Sequence, residues 1–157
     1  MLRSSAAVLL SALCFAGCGS GGNVNAKPAT LAPVTGSVKV GGKPGQNVLV
    51  TLVPSGTTKG LGGYAMTDAT GSFTIRHQSQ QDGVEPGDYF AVFSLYLKPD
   101  GSPLPPNTSP VQENAYQAIP SPWNSPGTES PRQKVIVAKE GRKDLSFDIP
   151  LAKAGKR

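Results

Sequence analysis

Histidine and cysteine are nearly absent from this chain of 157 residues, which contains one histidine and two cysteines. A tetrahedral zinc site takes most of its ligands from these two residue types, so the sequence cannot supply a conventional one. A Ser-His-Asp arrangement would have to use His77 as its base. Because His77 stands beside the polar stretch QSQQDG, we predict a solvated loop histidine, no catalytic site, no metal site and no cofactor.

A long hydrophobic run is also missing. The longest, residues 6–17, has about 12 residues, whereas a helix needs about 20 to span a bilayer. With Arg3 before it and small residues at its end, this run is typical of a secretory signal peptide. Its last residues and the next, FAGC at 15–18, resemble a bacterial lipobox. That resemblance implies cleavage after Gly17 and acylation of Cys18 by diacylglycerol and a further chain such as palmitate. Ordinary secretion and an uncleaved anchor are the alternatives.

The chain after Cys18 divides into three parts. Residues 18–33 are poor in large apolar side chains and are predicted to be a flexible tether, with a reach of roughly 20 Å. Residues 34–151 are enough for one domain with a modest core, and residues 152–157 form a basic tail. We therefore expect a membrane-anchored lipoprotein of the cell envelope, at the outer membrane or the periplasmic face. Its first partner is the bilayer that holds the acylated Cys18.

Charge is unevenly distributed along the chain. The formal net charge is +5, and the segment from Arg132 to the end holds eight Lys and Arg against three Asp and Glu. Solvated strand edges and a basic tail explain this surplus, and an anionic lipid or polysaccharide surface is the alternative partner. The basic residues are not interleaved with stacking aromatics, so no nucleic-acid partner is expected.

Glycine and proline are plentiful, with 19 and 15 residues, which favours turns and strands over helices. Alternating apolar and polar residues predict seven short strands separated by turn signals. The predicted fold class is all-β, a single antiparallel seven-stranded β-sandwich. The strands are expected at 34–40, 47–54, 63–67, 72–76, 89–97, 133–138 and 144–149.

Turn chemistry connects these strands. In the hairpin turn at 68–71 we expect the Asp68 carboxylate to bond the backbone ahead of it and Gly71 to take a positive φ. The residues predicted to form structural turns are Gly42, Pro44, Asp68, Gly71, Pro86 and Gly87.

One segment interrupts the strand rhythm. Residues 99–131 hold nine of the fifteen prolines and no clear strand. An irregular stretch of this length is usually functional or disordered. We predict that residues 99–111 are loose and that residues 115–123 pack back on the sandwich. Trp123, with Tyr116 nearby in sequence, either plugs an edge of the sandwich, which we favour, or offers a stacking platform to a sugar ring.

Three stretches, VTGSVKVGGKPGQNVLVTLVP, AMTDATGSFTI and GVEPGDYFAVF, resemble the transthyretin-like, carboxypeptidase-regulatory-like β-sandwich of small bacterial lipoproteins. The resemblance covers most of residues 34–150, with Trp123 where a tyrosine is more usual. It implies a seven-stranded, Ig-like sandwich that is not itself catalytic, and a fold does not imply a function.

The function expected is therefore that of a non-catalytic envelope lipoprotein that binds or scaffolds. Its further partner would be an envelope protein or a polysaccharide. The alternative is a carbohydrate-binding module that uses Trp123 and Tyr116, and a more remote one is a small hydrolase that depends on His77.

Overall fold

The computed structural model describes residues 30–105, 108–125 and 131–152. Within these ranges the chain forms a single 3-10 turn, Pro131–Gln133, and eleven strands. The strands are β1 (Val34–Val40), β2 (Lys43–Pro44), β3 (Leu49–Pro54), β4 (Gly63–Met66), β5 (Ser72–Thr74), β6 (Arg76–His77), β7 (Gly87–Ser94), β8 (Tyr96–Leu97), β9 (Tyr116–Gln117), β10 (Lys134–Val137) and β11 (Arg142–Ile149).

The strands form two main sheets and one small one, so the all-β class is confirmed. The first sheet has the order β11-β1-β2, with β5 also paired to β1, and the second has the order β10-β7-β3-β4-β6. The strands β8 and β9 pair with each other. Seven strands have three or more residues, namely β1, β3, β4, β5, β7, β10 and β11, and each overlaps one of the predicted strands.

One strand pair departs from the predicted antiparallel arrangement. The pairing of β1 with β11 is parallel, with Val38 opposite Phe147 and Val40 opposite Ile149, whereas the other named pairs in the described residues are antiparallel. Parallel neighbours need a long crossover. Here the crossover is the whole domain between its first and last strands. Both strands therefore run from the end at which the chain enters toward the opposite end.

The core lies between the two main sheets. In the seven longer strands alternate residues face inward, as the period of two in a strand requires, and Val34 and Val50 are among the fully buried residues. Phe93 of β7 is central, with the Phe147 ring centroid 4.8 Å away and the Trp123 ring centroid 6.0 Å away, both edge-on. Such edge-to-face pairs stabilise a core beyond simple burial.

The packed domain begins earlier than residue 34. Ala32 is fully buried, and its backbone exchanges hydrogen bonds with Val84 at N···O distances of 2.8 and 3.1 Å. The predicted tether, which was to run to residue 33, therefore ends before Ala32. At the other terminus the Ala152 N–H donates to the Ala118 carbonyl at 2.9 Å, so the predicted tail also loses its first residue to the domain. The predicted signal peptide, Cys18 and residues 153–157 lie outside the described residues.

The Pro-rich segment contacts the domain in both of its predicted parts: the stretch 99–111, predicted to be loose, is tied down near its start, and the stretch 115–123 packs on the sandwich. Near its start, Leu97 forms an isolated bridge with Pro103, and Val111 is 84% exposed. Further along, Ala118 and Ile119 are buried in the core. The chain therefore leaves the sandwich after β8 and returns to it at β9.

Candidate functional site

Trp123 lies inside the sandwich, although it comes from the irregular segment. Its side chain is 8% exposed, and its carbonyl accepts the Phe93 N–H at 2.9 Å. The buried Gln133 amide donates to the carbonyls of Ala91 at 2.9 Å and Trp123 at 3.3 Å. A stacked sugar needs an exposed ring face, so this position removes Trp123 from the candidate ligand contacts and makes it a plug.

Tyr116 does not share a platform with Trp123. It lies in β9 opposite Leu97, and both residues pack, partly buried, against the core. Among the described residues, the aromatic ring contacts of Trp123 are with Phe93. The two residues predicted as possible sugar contacts therefore serve different parts of the fold.

His77 is buried, so the prediction of a solvated loop histidine is wrong. Its residue exposure is 7%. The Ser79 N–H donates to His77 Nδ1 at 3.1 Å, which leaves the proton of a neutral ring on Nε2. That Nε2 lies 3.2 Å from a Glu85 carboxylate oxygen, without the alignment of a hydrogen bond. The prediction was based on the polar residues QSQQDG that follow His77 in the sequence, and these do not determine what surrounds His77 in the fold.

The contacts of His77 differ from those of an active Ser-His-Glu triad. The Ser79 hydroxyl is 2.9 Å from Nδ1, but that nitrogen's lone pair already accepts the Ser79 N–H. Ser79 therefore has no free base in this geometry. The backbone N–H of His77 also donates to the Gln81 carbonyl at 2.8 Å. Residues 77–81 therefore form a tight turn.

Glu85, the carboxylate beside His77, also contacts Tyr89 through its backbone. The Tyr89 hydroxyl donates to the Glu85 carbonyl at 2.6 Å. Burial, and then the nearby Glu85 charge, raise the pKa of Tyr89 to about 12. The phenol therefore stays protonated at neutral pH and keeps its hydrogen bond.

The predicted turn at 68–71 is present with its expected chemistry. One Asp68 carboxylate oxygen accepts the N–H groups of Thr70 at 2.8 Å and Ser72 at 3.0 Å, as well as the Thr70 hydroxyl at 2.6 Å. The hydroxyl bond first, and then the backbone bonds, lower the pKa of Asp68. Gly71 has a φ of +80°, and a Cβ there would collide with the Val38 carbonyl oxygen.

The remaining predicted turn residues occupy two other places. Gly42, with a φ of +77°, leads into β2, where Pro44 pairs with Lys39. Pro86 precedes Gly87 at the start of β7, and a Cβ at Gly87 would lie 2.6 Å from the Thr58 side chain. These residues shape loops, and no ligand chemistry is apparent in them.

The second sheet has an apolar outer face. The outward residues are mostly apolar and half-buried or exposed, and Met66 and Ile136 are each 59% exposed. We call the apolar part of this surface the outer apolar face; it consists of Leu49, Val53, Tyr64, Met66, Phe90, Val92 and Ile136. The same side of the sheet also carries Thr51, Arg76, Asp88, Ser94 and Lys134. At one end it continues into a groove of about 400 Å³ that is walled by residues 103–105.

The first sheet is polar on its outer side. Hydroxyl-bearing residues on β1 and β5 line a second depression of about 430 Å³, which also includes Asp144. Thr35 pairs with Thr74, and Ser37 pairs with Ser72. The outer side of the second sheet therefore carries more apolar side chains than that of the first.

Two further findings bear on the site. Within residues 30–105, 108–125 and 131–152, no group of three or more His, Cys, Asp or Glu side chains is arranged to hold a metal ion. No helix in the described part of the chain is both long enough and apolar enough to cross a membrane.

Comparison with protein-family models, with curated proteins and with solved structures gave no match for this chain. The class that the structure itself defines is that of an all-β sandwich.

Proposed function

We propose that this chain is an envelope lipoprotein, anchored in a bilayer through an acylated Cys18, whose sandwich is a non-catalytic binding or scaffolding module. The observation that carries the proposal is FAGC at 15–18, followed, within the described residues, by a domain in which Ala32 is already buried. The thirteen residues 19–31 between them have a reach of roughly 20 Å as flexible chain. A folded domain on such a tether stands clear of the lipid surface.

The outer apolar face supports the binding role. Soluble monomers rarely expose large contiguous apolar patches, and such patches mark interaction surfaces. Met66, Ile136 and Tyr96, which is 42% exposed, lie on this face or beside it. An apolar partner would bury the exposed side chains of Met66 and Ile136 on this face.

The carbohydrate-binding alternative has lost its main support. It depends on Trp123 and Tyr116, and the Trp123 ring is packed on Phe93 in the core. The hydrolase alternative depends on His77, whose Nδ1 is already engaged by the Ser79 N–H. We therefore retain the binding module as the proposed function.

The anchor is tested by replacing Cys18 with Ser, using Cys14→Ser as the matched control in the same apolar stretch. We expect the wild type and Cys14→Ser to fractionate with membranes and to carry the added mass of acyl chains. Two or three acyl chains, at about 0.8 kcal/mol per buried methylene, give durable attachment. Cys18→Ser should be released or remain an unprocessed precursor. If Cys18→Ser is still processed and still membrane-bound, the anchor is not at Cys18.

A further inference from the structure

A groove opens where the outer apolar face meets the Pro-rich segment. Its volume is about 400 Å³, within the usual ~300–1,000 Å³ of ligand pockets. The floor includes Leu49 of β3 and Met66 of β4, which are cross-strand neighbours. Leu104 and Pro105 form the facing wall. The bridge between Leu97 and Pro103 holds the base of that wall against the domain.

The lining of the groove is free of charge. Its polar side chains are Asn47, Ser94 and Tyr96, and the other lining residues are apolar. A charged group placed among them would lose its hydration and gain no ionic partner. The part of a ligand that enters this groove is therefore uncharged and apolar.

The strands beneath the groove have no unpaired backbone edge to which a peptide could add as a further strand. Leu49 is paired with Met66 on one side and with Ser94 on the other. The Leu95 N–H donates to the Gln117 side chain at 2.9 Å, and its carbonyl accepts the Ala118 N–H at 2.7 Å. A bound peptide could not extend the sheet here, and its amides beyond the reach of Asn47, Ser94 and Tyr96 would be buried without partners, which is unfavourable. An aliphatic chain has no such groups.

We propose that this groove binds the aliphatic chain of a single-chain amphiphile, such as a fatty acid, and leaves the polar head in water. A groove of this volume suits one chain better than two. Met66 is unbranched and flexible, so it adapts to an aliphatic chain. This inference deepens the proposed binding role but is independent of the anchor at Cys18, because the groove lies wholly within the sandwich domain.

The test uses the processed chain, from residue 18 onward with Ser in place of Cys18, so that no detergent is needed. N-phenyl-1-naphthylamine, an uncharged fluorophore, is bound first and then displaced by decanoate, dodecanoate and tetradecanoate below their micellar concentrations. Each buried methylene tightens binding about fourfold, so two methylenes should tighten it about sixteenfold. A displacement constant that is independent of chain length would overturn the proposal. So would displacement by an apolar peptide alone.

A pair of matched substitutions locates the site. Met66 and Ile136 are equally exposed, at 59%, on the same face, but only Met66 lines the groove. We expect Met66→Lys to weaken dodecanoate binding at least tenfold and Ile136→Lys to change it less than about twofold. Equal effects of the two substitutions would contradict a groove site. So would binding of dodecanoate that occurs only in a dimer of the chain. Should Met66→Lys melt early, Leu104→Ser on the wall provides the same comparison.

Discussion

Gly71 shows how a single residue determines the geometry of a hairpin in this protein. Its φ of +80° lies in the left-handed region, which costs an ordinary residue about 1–2 kcal/mol. In addition, the space for a Cβ is occupied by the Val38 carbonyl oxygen. Gly42 has a similar φ of +77° but has nothing within 4 Å of its Cβ position. Comparing substitutions at the two glycines therefore separates the cost of backbone strain, present at both positions, from the cost of a steric collision, present only at Gly71.

We predict that Gly42→Ala lowers the free energy of unfolding by about 1 kcal/mol and that Gly71→Ala lowers it by clearly more, about 2–4 kcal/mol. The difference arises because Ala at 71 must displace the backbone of β1. Urea unfolding of the two variants measures both values. Equal losses would show that the contact with Val38 relaxes at no cost.

At the scale of elements, the Pro-rich segment provides a side chain that completes the core. Trp123 contacts Phe93 edge-on at 6.0 Å, and Phe93 in turn contacts Phe147 of the other sheet at 4.8 Å. Three aromatic rings thus connect the irregular segment to both sheets. The segment is held by burial of Trp123 as well as by the pairing of β8 with β9.

We predict that Trp123→Ala lowers the free energy of unfolding by about 3–5 kcal/mol, the usual range for a buried large aromatic. The wild-type tryptophan fluorescence should be blue-shifted and weakly quenched by acrylamide, because the ring is buried. Tyr116→Ala, at a half-buried position of the same segment, serves as the milder comparison. A red-shifted, easily quenched emission would contradict the buried position.

The sequence predicted where strands form better than how they associate. Alternation of apolar and polar residues indicates a strand and its buried face, as in β11, where Leu145, Phe147 and Ile149 are the buried residues. Alternation does not indicate which strand lies alongside or in which direction. The parallel pairing of β1 with β11 depends on contacts between residues over a hundred positions apart, and so it was missed.

The candidate sites were harder to predict for a related reason. The groove combines Leu49, Met66 and Leu104 from three separate segments, and no local pattern brings them together. His77 was misjudged because its polar neighbours in sequence are not its neighbours in space. The prediction for Cys18 is of another kind, because a lipobox is a pattern of consecutive residues.

At the scale of the whole molecule, the domain boundary at Ala32 has a measurable effect. A chain that starts at Val34 lacks three backbone hydrogen bonds, two between Ala32 and Val84 and one from the Arg142 N–H to the Pro33 carbonyl. We predict that it is less stable than a chain starting at Thr30 by about 3 kcal/mol, since each hydrogen bond contributes roughly 1 kcal/mol. Thermal or urea unfolding of the two chains makes the comparison. Identical unfolding midpoints would show that residues 30–33 do not contribute to stability and that the domain begins at residue 34.

The direction of β11 also has a mechanical consequence. Because β1 and β11 run parallel, a pull between the N-terminal tether and the C-terminus draws the two strands past each other along their length. Their six register pairs then bear the load together, in shear, whereas an antiparallel arrangement of the same two strands would open like a zipper, one pair at a time. A domain loaded in this way resists extension between its two ends.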